Sequence, residues 1–209
     1  DNGVPSFCDT AYLLITVDSY PAQTNSVIAN NDENLSYGAP VSNNILLNDA
    51  DPQENSFTVS SFTLDTDGNP ATPNVAGTVG GPAVQIGGES SDGIAVANAG
   101  TFLLNADGSY TFTPSLGFAG SVDIPYTICD NATPQACATA ILHIDVLADE
   151  NGAANDAPAA GDDFETTFVN APVSNNVLSN DYDPNAGNTF TVTQIGSTPV
   201  SGPTTIATT

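Results

Sequence analysis

The side chains best suited to chemistry in this sequence are acids set two residues apart. Asp181-x-Asp183-x-Asn185 places three oxygen-bearing side chains at alternate positions, with Gly187 allowing a sharp bend. Asp49-x-Asp51, with Glu54 and Asn55 nearby, is a thinner version of the same run. Calcium takes about six to eight hard oxygens at roughly 2.3–2.6 Å, typically from carboxylates and carbonyls on flexible loops, so both runs are candidate calcium loops. Neither carries the glutamate that closes an EF-hand. Both also read as simple turns, because Asp51-Pro52 and Asp183-Pro184 are common punctuation between strands.

Charge bears on the choice. The 209 residues include 19 Asp, 5 Glu, one His and no Lys or Arg, a formal charge of −24. Nothing can neutralise a phosphate backbone, so nucleic-acid binding is excluded, and a polybasic membrane contact with it. No internal salt bridge is expected, and acids that cluster must be relieved by divalent ions or screened by salt. At least one bound calcium is the expectation; a merely solvated acidic surface is the alternative.

Catalysis has little to work with. His143 is the sole imidazole and reads as a solvated strand residue, so no Ser-His-Asp arrangement can be built on it. No pair of carboxylates is placed for glycoside hydrolysis. Gly80-Gly81 and Gly87-Gly88 are followed by no Lys and form no phosphate loop. The chain is therefore read as a non-enzyme. Tyr12, Tyr20, Tyr37 and Tyr182 are candidate sugar platforms that do not cluster in sequence, and Asn34-Leu35-Ser36 and Asn131-Ala132-Thr133 fit the glycosylation sequon.

The elements that position these residues should be strands. Asp outnumbers Glu, helix formers are scarce, and apolar alternation is frequent. Ala140, Leu142, Ile144 and Val146 share one face, opposite Ile141, His143 and Asp145. Phe57-Thr58-Val59 and Phe190-Thr191-Val192 are β-prone, and Asn105–Ser109, with Asp107-Gly108, predicts a hairpin turn. Many short strands between turns predict an all-β sandwich or barrel. The longest apolar runs fall far short of the ~20 residues that span a bilayer. No Met and no signal-peptide pattern occur, which suggests a mature segment or a window from something longer.

Internal repetition is the richest signal. Ala39–Leu46 recurs as Ala171–Leu178, and Asn48-Asp49-Ala50-Asp51-Pro52 recurs as Asn180-Asp181-Tyr182-Asp183-Pro184, each 132 residues on. Asp1–Cys8 and Thr10–Val17 match Asp130–Cys137 and Thr139–Val146, each 129 residues on. This divides the chain into 1–18, the C-terminal strand of a preceding repeat; 19–148, a complete repeat; 149–158, an acidic linker; and 159–209, the front of a following repeat. The two partial copies do not sum to a domain. Either the chain continues, the favoured reading, or neighbouring subunits complete one another in a polymer. Cys129 and Cys137 flank a turn and can close as a disulfide, with Cys8 left over; free thiols are the alternative, and the absence of Cys-x-x-Cys argues against a metal–thiolate site. A disulfide would imply an oxidising compartment.

At Asn-Asp-x-Asp-Pro after Asn-Asn-(Ile/Val)-Leu, at Leu104–Pro114 followed by Gly117-Phe118-Ala119-Gly120, and at Tyr126–Asp130 with Cys137, the chain resembles bacterial cadherin-like and Ig-like tandem repeats of surface proteins. The resemblance implies Ig-like/cadherin-like β-sandwich domains in tandem, of seven or eight strands. It also implies secretion to the cell surface or extracellular space, and a role as spacer, stalk, adhesin or filament. Residues 66–100, rich in Gly, Pro and Ala, depart from it and look like an insertion. The linker is similar to the cadherin junction. By that likeness Asp149, Glu150, Asn155 and Asp156 are linker ligands for calcium, with Asp162 and Asp163 from the following domain. The matching junction at 18–32 keeps Asp18, Asn31 and Asp32. Expected partners are neighbouring repeats or copies of the chain in a fibre; a glycan- or protein-binding adhesive module is the second reading.

Overall fold

Alternating β-branched, aromatic and polar residues favour pleated strands with one buried face. The computed structural model describes residues 8–18, 24–148, 157–169, 171–185 and 188–200. Every regular element among them is a strand: β1 (Leu13–Asp18), β2 (Asp32–Ser36), β3 (Val41–Asn44), β4 (Phe57–Leu64), β5 (Val75–Ala76), β6 (Val84–Ser90), β7 (Ala95–Leu104), β8 (Ser109–Pro114), β9 (Gly120–Asp130), β10 (Cys137–Val146), β11 (Asp163–Phe168), β12 (Gln194–Ile195) and β13 (Thr198–Pro199). No helix among them is long and apolar enough to cross a membrane.

β9 organises the main sheet. One edge pairs with β10 along its whole length. The other is shared, with β6 on its first residues and β4 on its last. The order β2-β10-β9-β6-β7-β8-β3, with β4 beside β9 and β5 beside β4, therefore splits at β9 and folds into two layers. Phe62 of β4 meets Phe102 of β7 edge-on at 5.9 Å, and Phe102 tilts against Tyr110 of β8 at 5.9 Å. Gly88 sits where β6 leaves one layer for the other: a Cβ there would lie 2.5 Å from the Ser121 carbonyl oxygen.

The expected alternation in β10 holds, with Ala140, Leu142, Ile144 and Val146 buried. Asn105–Ser109 is the expected turn, closed by Gly108 N–H to Asn105 O at 3.1 Å, with Gly108 at φ 84°. Cys129 and Cys137 stand opposite each other and are bonded, while Cys8 is free and exposed.

Residues 66–100 are not an insertion. They hold β5, β6 and the start of β7, and they bury Ile86 and Ala99 in the core. At Gly68, Gly87, Gly88 and Gly100 a Cβ would come within 2.1, 2.3, 2.5 and 2.5 Å of neighbouring backbone, so these glycines mark close approach rather than a loose loop.

β1 pairs in parallel with β11, Leu13 opposite Asp163 through Asp18 opposite Phe168. β10 pairs in parallel with β2, Leu142 opposite Asp32 through Val146 opposite Ser36. Given the sequence matches, these two registers are the same. Their burial is not. Leu142 and Val146 are 1% and 2% exposed, whereas Leu13 and Val17 are 38% and 43% exposed. No β9-like strand lies beside β1 among the described residues. Phe190-Thr191-Val192, matching the start of β4, likewise forms no strand, because β4 is held by β9.

The two leucines should therefore respond differently to truncation. Leu142→Ala should cost about 3 kcal/mol and Leu13→Ala under about 1 kcal/mol in urea unfolding curves, since only the first leaves a cavity in a closed core.

Candidate functional site

Each Asn-Asp-x-Asp loop is pinned to the segment that enters the neighbouring strand. Ile28 bridges Ala50 ahead of β2, and Ala159 bridges Tyr182 ahead of β11. In the first copy, Asn48 Nδ2 donates to Asn31 O at 2.9 Å, Asn30 N–H donates to Asp49 Oδ1 at 2.7 Å, and Gln53 N–H donates to Asp51 Oδ1 at 2.7 Å. The second copy repeats all three: Asn180 Nδ2 to Asp162 O at 2.9 Å, Gly161 N–H to Asp181 Oδ1 at 3.0 Å, and Asn185 N–H to Asp183 Oδ1 at 2.8 Å. Each side chain is thus tied by one atom. The other oxygen is left over in five of the six: Asn48 Oδ1, Asp49 Oδ2, Asp51 Oδ2, Asn180 Oδ1 and Asp183 Oδ2 are buried with no hydrogen-bond partner. Buried polar atoms ordinarily find partners, so five orphans at matching positions of two loops call for an explanation.

Acids from the adjoining strands face these loops. Burial pushes the Asp32 carboxyl well up; the Tyr126 hydroxyl, 2.7 Å from Asp32 Oδ2, opposes this and Asp49 adds to it. Burial also pushes Asp49 up to about 7, with the Asn30 N–H opposing and Glu165 adding. Asp163 is raised to about 7 by burial, then by Asp181, Glu165, Asp162 and Glu33. Asp181 rises to about 6 for the same first reason. Glu33 and Glu165 are raised too, chiefly by burial. This is what burial does to carboxylates that have no Lys or Arg beside them, with neighbouring acids adding to it at Asp32, Asp49, Glu33, Asp163 and Asp181.

The two loop regions meet along a polar seam. Asn48 Nδ2 reaches Phe164 O at 3.2 Å, Thr166 Oγ1 donates to Asn30 Oδ1 at 2.5 Å, and Tyr37 stacks on Tyr182 at 5.3 Å. A cleft of about 230 Å³ opens there between Leu14, Asn30, Asn31, Phe164 and Glu165.

Among the residues expected as ligands, Asp49 acts electrostatically on Asp32, and Asp162 and Asp181 act on Asp163, without gathering into one group. Asp51, Asp183 and Asn185 sit in the pinned loops, Asn185 holding Asp183 through its backbone. Asp162 spends Oδ1 on Tyr12 N–H at 2.7 Å. Asp149, Glu150, Asn155, Asp156 and Gly187 lie outside the described residues. Among the described residues, no three His, Cys, Asp or Glu side chains alone form a group that could hold a metal. The orphaned oxygens are a mixed set, carboxylate and amide. Asn48, Asn180, Glu33 and Glu165 were not expected. The recurring Asn before each Asp was visible in sequence, but its amide could not be told from turn chemistry.

His143 differs from expectation. It is not simply solvated: Nδ1 lies 2.5 Å from Asp123 Oδ1 and Nε2 3.3 Å from Asp145 Oδ1, with the ring 38% exposed. Asp123 first, then Asp145, raise it to about 10, so among the described residues His143 does pair with two acids. Strand pairing causes this, for β9 sets Asp123 directly across from His143. Tyr37 and Tyr182, distant in sequence, stack, and Tyr20 lies outside the described residues. Asn34 is buried and donates to the Tyr110 hydroxyl at 2.6 Å, which closes that sequon, whereas Asn131 is exposed.

Two packed layers of mostly antiparallel strands, closed at one edge by the parallel pair β2·β10, define an Ig-like sandwich. The profile described as Bacterial Ig domain matches residues 18–145, and the chain belongs to that family, whose members are typically non-catalytic and surface-exposed. No curated protein matches the chain. Among solved structures, a nucleoside hydrolase-related hypothetical protein from Saccharophagus degradans, associated with carbohydrate metabolism, is similar at 15% identity and a TM-score of 0.32. That match covers 58% of this chain and 25% of the other.

Two pH effects follow. The raised carboxyls hold protons more tightly folded than unfolded, so metal-free protein should lose stability as pH rises from about 4 to about 7 and level off above that. Thermal melts in chelator should show this, and Asp163→Asn should flatten the slope. The His143 contribution should be whole below pH 6.5 and gone above about 10. His143→Gln should thus cost up to about 1 kcal/mol at pH 6 and nothing at pH 10.5, measured by urea unfolding.

Proposed function

We propose that the chain is a non-catalytic extracellular structural segment, in which calcium stiffens the joint between successive Ig-like units of a surface adhesin, stalk or filament. Residues 19–148 form one complete unit. Residues 1–18 and 159–209 belong to neighbouring units, and 149–158 link them. Partners are adjoining units or further copies in a fibre.

One observation carries this reading: the same crowded arrangement of acids occurs at both copies of the loop, where the copies meet, in a chain without Lys or Arg. Divalent ions relieve such crowding with hard, oxygen-rich coordination. A glycan-binding role has less support, because Tyr37 and Tyr182 spend their faces on each other.

Calcium at about a hundred times its dissociation constant adds ~2.7 kcal/mol, which should raise the melting temperature by about 5–10 °C over chelated protein. Small-angle scattering should show a longer, stiffer particle with calcium. A melting temperature and scattering profile that ignore both calcium and excess chelator would sink the proposal.

A further inference from the structure

We propose that the free edge of β1 is a docking site for one extended polypeptide strand, which runs antiparallel to β1 and carries the side-chain pattern of β9. In this register a cysteine of the incoming strand stands opposite Cys8. The proposal rests on the reading of 1–18 and 159–209 as parts of neighbouring units and is independent of calcium.

The equivalence of the two parallel pairs carries it. Thr10–Val17 match Thr139–Val146, 129 residues on, and β1·β11 repeats the register of β10·β2. Even the entry bond recurs: Tyr12 N–H donates to Asp162 Oδ1 at 2.7 Å, as Ile141 N–H donates to Asn31 Oδ1 at 3.0 Å. Tyr12 O also accepts from Asp163 N–H at 2.8 Å, so Tyr12, Leu14 and Thr16 turn their backbone groups toward β11. Those of Leu13, Ile15 and Val17 are left on the other edge, where β10 has β9 and β1 has no described strand. The marks of a missing strand are visible. β10 is held by β9 alone from Cys137 to Ile141, and the matching stretch 8–12 is exposed and forms no strand. Leu13 and Val17 lie on the face that is buried in β10, yet are 38% and 43% exposed. Phe190-Thr191-Val192 matches the start of β4, which pairs with the far edge of β9, and it too forms no strand. One strand of β9's kind serves both edges, and this sets its chemistry. Apolar residues at alternate positions must meet Ala11, Leu13 and Ile15, as Tyr126, Ile124 and Val122 meet Ala140, Leu142 and Ile144. A cysteine must lie across from Cys8, as Cys129 lies across from Cys137. A second copy of this chain cannot supply its own β9, which is already paired on both edges. Main-chain bonds give such strand addition its affinity, and alternate side chains fix its register.

The test offers the full chain a synthetic peptide with the sequence of Gly120–Asp130, its cysteine carrying a thionitrobenzoate group. The Cys8 thiolate attacks the peptide sulfur, the new S–S bond forms as the old one breaks, and thionitrobenzoate leaves as a coloured thiolate. Cys8 is the one cysteine outside the Cys129–Cys137 bond, so a single adduct is expected. A scrambled peptide of the same composition, activated in the same way, sets the rate for an accessible thiol. The β9 peptide should react about tenfold faster, the ratio of a roughly millimolar effective concentration to a peptide supplied at about 100 μM. In the adduct, hydrogen exchange should slow at the amides of Leu13, Ile15 and Val17 and stay unchanged at Thr16. Cys8→Ser with unactivated peptide should show the same protection, which separates docking from capture. Equal rates for the two peptides, or β1 amides left unprotected, would overturn the site. So would a Cys8–Cys8 dimer that forms in preference to the adduct, since a second copy would then be the occupant. Each of these results leaves the calcium reading to its own melting and scattering test, and indifference to calcium leaves the strand site standing.

Discussion

A carboxylate in this chain has no basic side chain to meet except one histidine, and the rest of the structure is arranged around that shortage. Each acid must be satisfied by N–H groups, amides or hydroxyls. Asp65 Oδ1 accepts from Asp67 and Gly68 N–H at 2.8 and 2.7 Å. Asp107 takes the Ser109 N–H at 3.1 Å and its hydroxyl at 2.6 Å. Asp130, fully inside, accepts from Ala132 and Ala136 N–H and from the Asn25 amide. These are short-range solutions, and they explain the excess of Asp over Glu: the shorter side chain reaches its own backbone two residues on. Asp49 and Asp51 begin in the same way and stop half-finished, each with one oxygen bound and one not.

The apolar core makes such loops affordable. β9 buries Val122, Ile124, Tyr126 and Ile128 against the opposite layer, and the disulfide ties its end to β10 across the turn. Tyr126 connects the two regimes. Its ring is core, and its hydroxyl reaches Asp32 Oδ2 at 2.7 Å and Asn30 O at 2.8 Å. The acid that faces the first loop is therefore positioned by a strand whose inward residues are all buried.

Patterns local to one strand or one turn were legible in the sequence. The alternation of β10, the Asp107-Gly108 turn and the Cys129–Cys137 pairing all depend on neighbours a few residues away. What depended on strand order was not. The segment 66–100 looked loose because glycine is read as flexibility, yet Gly88 is there to let β6 pass Ser121. His143 looked solvated because its ion partner arrives from β9, and Phe190-Thr191-Val192 looked like a strand because propensity does not reveal whether a pairing edge exists. At the loops the acids were legible and the amides were not, since Asn is as ordinary in a turn as in a ligand set.

The contrast between β10 and β1 shows why the polar seam matters mechanically. Both strands make the same parallel pairing in the same register, but β10 is locked into a closed core and β1 keeps Leu13, Leu14 and Val17 open to solvent. A two-stranded sheet with one apolar face uncovered has little stability of its own. Its placement against the sandwich therefore rests on the seam contacts of Asn30, Asn48 and Tyr37 with Thr166, Phe164 and Tyr182. Asn48 belongs to both systems: its amide nitrogen reaches across to Phe164, while its amide oxygen is one of the orphaned acceptors. A change of rotamer at Asn48 would therefore disturb the loop and the seam together, since one amide nitrogen serves both Asn31 O and Phe164 O.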